Sequence, residues 1–172
     1  HSATGLHILA APSRPEYAAK VSSGQFSKML EYLTQLYTSV IVDTAPALTD
    51  LTLATIDVSD IIVLVTTQDI PSIKNSRLFL DLLQSLGVRR ERIMFIMNRF
   101  DKKVNITPER VADNLKQEVT LVIPSAEATA VKAVNRGVPF VLDNKSQPVA
   151  RGVLALAEAI RTKIAAQESG SE

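Results

Sequence analysis

Five short stretches of the chain are almost unbroken in apolar residues: Leu6–Ala10, Val40–Asp43, Ile61–Thr66, Ile93–Asn98 and Val119–Ile123. They run in Ile, Val and Leu instead of alternating with polar residues, the pattern of strands covered on both faces in a mostly parallel sheet. Between them the period changes to that of a helix. Phe26, Leu30, Leu33 and Tyr37 form one apolar stripe, and Phe79, Leu82, Leu83 and Leu86 form another. Gly87 is placed to end the second helix, and Thr107-Pro108 supplies an N-cap followed by proline at the first helical position. Ser125 is expected to cap a helix that stops at Asn135-Arg136-Gly137. A last helix is expected from about Pro148 to Ala166, with Val149, Val153, Leu156, Ile160 and Ile164 inward and a frayed tail over 167–172. Strand and helix alternate throughout. That alternation predicts one α/β domain over 1–172, with an ordered core of about 5–166 and helices on both faces of a parallel sheet.

Composition narrows the classes of function. The 172 residues are 46% hydrophobic and 22% charged, enough for a buried core. Lys and Arg number 19 against 18 Asp and Glu, so no broad electrostatic footprint for nucleic acid exists. With no cysteine, disulfides and thiolate metal sites are excluded, and His1 and His7 make no zinc pair. No apolar run approaches the ~18 residues of a membrane span, and the acidic, polar C-terminal tail is unsuited to a membrane anchor. A cytoplasmic location follows as the expectation. Because the sequence opens on His1-Ser2 instead of Met, an upstream region is expected as well.

In an open α/β sheet ligands sit beyond the carboxyl ends of the strands. The second apolar run ends at Asp43, where a carboxylate suits a magnesium ion held through water or, more simply, caps the following turn. The fourth run ends Asn98-Arg99-Phe100, and an amide there either reads the donor–acceptor edge of a purine or starts a turn. The fifth ends at Pro124, a wall for a base or merely a strand terminator. None of the six glycines is followed by lysine, so the phosphate-cradling G-x-x-x-x-G-K-[ST] loop is not encoded in these residues.

Taken together these strand ends resemble a known order. The run SVIVDTAPALTDLTLATIDVSDIIVLVTT is similar to the Walker B region of ParA/MinD-type P-loop ATPases, with Ala45 for the first proline of D-T-P-P, Pro46 for the second, and Ser59-Asp60 for an Ala-Asp pair. QDIPSIKNSRLFLDLL, AVNRGVPFV (Ala133–Val141) and GLHILAAPSRPE resemble the CpaE/TadZ branch, which positions and assembles Tad-type (Flp) pili at a cell pole. Ala126 stands where the family often carries aspartate.

The resemblance covers the chain from Gly5 to about Ile164 and implies a P-loop NTPase-like domain that binds ATP or ADP with Mg. It implies that Asp43 holds Mg through water, that Asn98 with Arg99 meets the adenine, and that Pro124 walls the base. It implies a homodimer in the intact protein, pilus-assembly proteins as partners, and a polar or inner-membrane-face position reached through them. No catalytic residue is assigned. These residues are expected to lack the P-loop strand and helix, to hydrolyse no ATP and to bind no nucleotide tightly. A non-catalytic localisation scaffold and a DNA-partition ATPase are the alternatives, the second resting on Arg89, Arg90, Arg92, Lys102 and Lys103. In the family the P-loop strand lies between the strands represented by Val40–Asp43 and Ile61–Thr66. Its loss is expected to be closed by direct pairing of those two, or by a partner or swapped chain.

Overall fold

A computed structural model describes residues 4–11, 14 and 21–169, whose contacts divide the chain into two compact units, His1–Ser59 and Asp60–Glu172. In the first unit, helix α1 (Ser23–Leu36) is started by a capping box: Ser22 accepts from the Gln25 N–H, and the Gln25 side chain accepts from the Ser22 N–H. Its inward face centres on Leu30, with Phe26 and Leu33 half-buried, while Tyr37, the last residue of the expected stripe, is the C-cap and exposed. Helix α2 (Asp50–Val58) is capped by Thr49, and α1 packs on α2.

The runs Leu6–Ala10 and Val40–Asp43 do not form strands. Leu6–Ala10 is exposed throughout; in the second run Val40 and Val42 are half-buried and Ile41 is 90% exposed. A run of β-branched residues becomes a strand only when a neighbour completes its ladder, and neither run has one among the described residues.

The second unit holds a three-stranded parallel sheet of β1 (Ile62–Thr67), β2 (Ile93–Phe100) and β3 (Val119–Pro124), in the order β1-β2-β3. Helix α3 (Ile70–Ser85) joins β1 to β2, and α4 (Pro108–Leu115) joins β2 to β3. Helix α5 (Glu127–Arg136), the short α6 (Phe140–Asp143) and α7 (Pro148–Ser169) follow. The central strand is covered on both faces, with Ile93 to Met97 all buried. Met94 and Ile96 meet Ile123 and Val149, with Phe140, Val153, Leu156 and Ile160 against them, so α6 and α7 cover that face. Alternation puts Ile93, Phe95 and Met97 on the opposite face. There α3 packs on β1 and α4 on β3, contributing buried Leu80, Leu83, Val111 and Leu115.

Some local details differ from the sequence reading. The buried face of α3 runs through Ser76, Leu80 and Leu83, whereas Leu86 is exposed because it is already the C-cap. Gly87, at φ +76°, gives its N–H to Gln84, and Val88 gives its own to Leu83, the paired bonds of a Schellman stop. The N-cap of α5 is Ala126, with no side-chain bond; the Ser125 N–H is instead committed to the Phe100 carbonyl at 2.9 Å. Thr107 caps α4 as expected, and α7 continues to Ser169. The tail beyond 169 lies outside the described residues.

Candidate functional site

Three strand ends meet along the C-terminal edge of the second unit's sheet. Thr67 of β1 stands opposite Asn98 of β2, and Phe100 stands opposite Pro124 of β3. Asn98, Arg99 and Pro124 are thus brought to one edge. Between Met97 and Phe100 the β2–β3 register slips by one residue, and Arg99 adopts φ +54°, in the left-handed region. This is a bulge in the central strand. It leaves Arg99 exposed and Asn98 half-buried at the rim, with the Asn98 Oδ1 accepting from the Arg99 N–H at 2.9 Å. That bond leaves the Asn98 amide hydrogens facing outward as donors, with one further lone pair on the oxygen. A compensating slip lies earlier, between Phe95 and Ile96, where the Thr120 hydroxyl accepts from the Phe95 N–H at 3.3 Å.

The loop after β2 is held from β1. The Gln68 Nε2 donates to the Ile106 carbonyl at 2.7 Å, and its Oε1 accepts from the Asp101 N–H at 2.9 Å. Asp69 caps α3 by accepting from the Ser72 N–H at 2.9 Å, and it also accepts from the Thr67 hydroxyl. The Thr67 hydroxyl, then the Ser72 backbone, hold the Asp69 carboxyl below its ordinary value. Sequence reasoning missed Gln68. The only signal was a long amide directly after a buried strand, at the edge where ligands bind.

On the other side of the edge, Pro124 packs under α7. A Cβ built on Gly152 would lie 3.4 Å from the Pro124 Cδ and 3.5 Å from the Ile123 Cα, ordinary van der Waals contact, so α7 lies against the strand end with room for a methyl group and little more. Asp43 belongs to the first unit, where it is exposed and makes no hydrogen bond among the described residues. An exposed carboxylate can meet a hydrated Mg²⁺ through water, while the ion draws its other ligands from phosphates and waters. No group of three or more metal-binding side chains occurs among the described residues.

Of the basic residues read as a DNA signal, Arg90 has a structural bond, and Arg77, outside that set, has another. Arg77 donates to the Asn114 carbonyl and, at 2.7 Å, to the Asn114 Oδ1; Arg90 donates to the Lys116 carbonyl. Both guanidinium groups thus meet the carbonyl-rich end of α4. No helix among the described residues is long and apolar enough to cross a membrane.

No protein-family profile matches the chain. It is 31% identical over 105 residues to the septum site-determining protein MinD of Thermotoga maritima, a match that spans 58% of this chain and 38% of that protein. A ParA family ATPase from Chlorobium tepidum superposes with a TM-score of 0.84 at 18% identity, over 91% of this chain and 65% of that one. MinD from Pyrococcus horikoshii, solved with Mg-ADP, superposes with a TM-score of 0.72 at 21% identity, over 84% and 59%. MinD in the MinC:MinD complex of Aquifex aeolicus gives 0.74 at 22%, over 83% and 60%. The α/β fold with a parallel sheet flanked by helices is therefore that of ParA/MinD P-loop ATPases, and the chain spans less than two thirds of these relatives' length.

Proposed function

We propose that this chain carries the base-binding part of a ParA/MinD-like ATPase domain. The observation that supports it most is the bulged end of β2, which sets Asn98 and Arg99 at the ligand edge of the sheet beside Pro124. Asn98 offers amide donors to the ring nitrogens of adenine, and Pro124 with its neighbours walls the base. Asp43 takes the metal role through water, as its motif implies. The ligand is an adenine nucleotide with Mg, which supplies charge neutralisation at the phosphates when bound. Phosphates normally draw most of their grip from backbone N–H groups and a lysine, and no Gly-Lys pair occurs in these residues. The 172 residues consequently hydrolyse no ATP and hold adenosine about as well as ADP.

The biological setting we propose is that of the CpaE/TadZ branch: a homodimeric protein that positions Tad-type pilus assembly, at a pole or the inner-membrane face through its partners. Its support is the resemblance of QDIPSIKNSRLFLDLL and AVNRGVPFV to that branch. Against the DNA-partition alternative, Arg90 is spent on the α4 terminus. The deciding measurement is an amide-resolved NMR titration with adenosine and with guanosine. Adenosine is expected to shift Asn98, Arg99 and Ser125; equal shifts with guanosine, or shifts confined elsewhere, overturn the base-site reading. Deletion of the gene with no change in pilus number or position overturns the pilus setting alone.

A further inference from the structure

We propose that Gln68 is a positioning residue for the base-reading end of β2, acting through the loop that follows it, a role that rests on the adenine reading of this edge. Its carboxamide spans from the end of β1 to both ends of the loop after β2. It accepts from the Asp101 N–H at 2.9 Å and donates to the Ile106 carbonyl at 2.7 Å. One partner is a donor and the other an acceptor, so the orientation of the amide is fixed and no flip satisfies both. Glutamine is the one side chain of this length that supplies a donor and an acceptor together at neutral pH.

The residue is itself held on both sides. Thr67 bonds Asp69 and, at 2.7 Å, the Ser72 hydroxyl, while Asp69 caps α3, so the backbone on either side of Gln68 is pinned. Thr67 is also the ladder partner of Asn98. The latch therefore closes beside the bulge. Asp101 lies two residues beyond Arg99, whose left-handed backbone is strained for a residue with a side chain. Fixing the Asp101 peptide on one side and the β2 ladder on the other leaves the Asn98-Arg99 peptide no room to relax. Released, residues 101–106 are free to shift, and the Arg99 peptide, whose N–H holds the Asn98 Oδ1, loses its restraint on that side.

Two variants of the complete 172-residue chain test this. Gln68→Met keeps length and removes both bonds. Gln68→Glu keeps only the acceptor when ionised, but regains an O–H donor when protonated. The readouts are exchange of the Asp101 amide, with the buried Phe95 amide as the control for global opening, and the adenosine titration described above. In Gln68→Met the Asp101 amide is expected to exchange at least ~10-fold faster and adenosine affinity to fall roughly tenfold, the scale of one ordinary hydrogen bond. In Gln68→Glu the Asp101 amide is expected to keep its protection at neutral pH, because the carboxylate still accepts from it, while adenosine affinity falls as the donor to the Ile106 carbonyl is lost. The affinity then recovers toward the wild-type value measured at the same pH as the solution approaches the ~4.3 of a free glutamate. A merely space-filling residue gives no such recovery.

Unchanged exchange at Asp101 in Gln68→Met refutes the latch. Faster exchange with unaltered adenosine affinity and base selectivity refutes the positioning role, and both of those results leave the adenine reading standing. A wild-type chain with no adenosine response at Asn98 and Arg99 overturns the adenine reading itself, and this role with it.

Discussion

Replacing Arg99 with glycine and with valine tests whether the bulge in β2 is imposed by the fold. An L-residue in the left-handed region pays about 1–2 kcal/mol, and Arg99 sits there at φ +54°. Glycine escapes that penalty but loses about 0.5–1 kcal/mol more backbone entropy on folding. The side chain of Arg99 is exposed, and the bond it gives to Asn98 comes from its backbone N–H, so little else changes. Arg99→Gly should therefore be between neutral and about 1.5 kcal/mol more stable. Arg99→Val, β-branched at positive φ, should be at least about 1 kcal/mol less stable than the wild type. Urea unfolding at neutral pH, with m-values compared among the three chains, reads both differences. A valine chain as stable as the wild type, or a glycine chain more than about 1 kcal/mol weaker, means that the positive φ is not enforced, and the argument for a rigid base site fails with it.

Lys116, at φ 50° as the C-cap of α4, should tolerate glycine in the same way. Lys116→Gly is expected to raise stability by up to about 1 kcal/mol in urea unfolding, because the carbonyl that Arg90 meets is retained. At Gly152, alanine makes ordinary contact with Pro124 and Ile123 and gains up to about 1 kcal/mol of helix propensity, whereas valine forces γ-methyls toward the strand end and costs about 1–3 kcal/mol. Equal midpoints for Gly152→Ala and Gly152→Val would show that the approach of α7 is not close. Asp69 has its carboxyl held down in the folded state, so its contribution is present above its ordinary 3.8 and is lost as pH falls through the lowered folded value. Asp69→Asn should remove that part of the acid-side loss, seen as a flatter urea midpoint between about pH 5 and 2; parallel profiles for the two chains count against the capping bonds.

The three strands of the second unit were legible to within one or two residues because buried parallel strands write a continuous apolar run. Ile61–Thr66 became Ile62–Thr67, and Ile93–Asn98 gained Arg99 and Phe100. The same signal misled at Leu6–Ala10 and Val40–Asp43, since a run reports an intention to be covered and says nothing of whether a neighbour is present. Gly87 and Thr107-Pro108 were readable because each acts through its own backbone conformation or a bond three residues away. Asn98, Arg99 and Pro124 were found as strand-end residues, but the bulge that sets their geometry depends on a register between strands and leaves no mark in the local pattern. Gln68 was hidden for the same reason: its two bonds reach 33 and 38 residues along the chain. Arg90 was visible as charge, while its duty at the end of α4 was not.

Among the described residues β1 pairs with β2 alone, and its Val63 and Val65 are exposed, Val65 by 52%. A strand left this way is an open template: its free N–H and C=O groups accept any extended chain of suitable sequence, including another copy of itself. Solubility and completion of the sheet are therefore governed by one surface, and a charged residue placed at Val65 to improve the first would be paid for in the second.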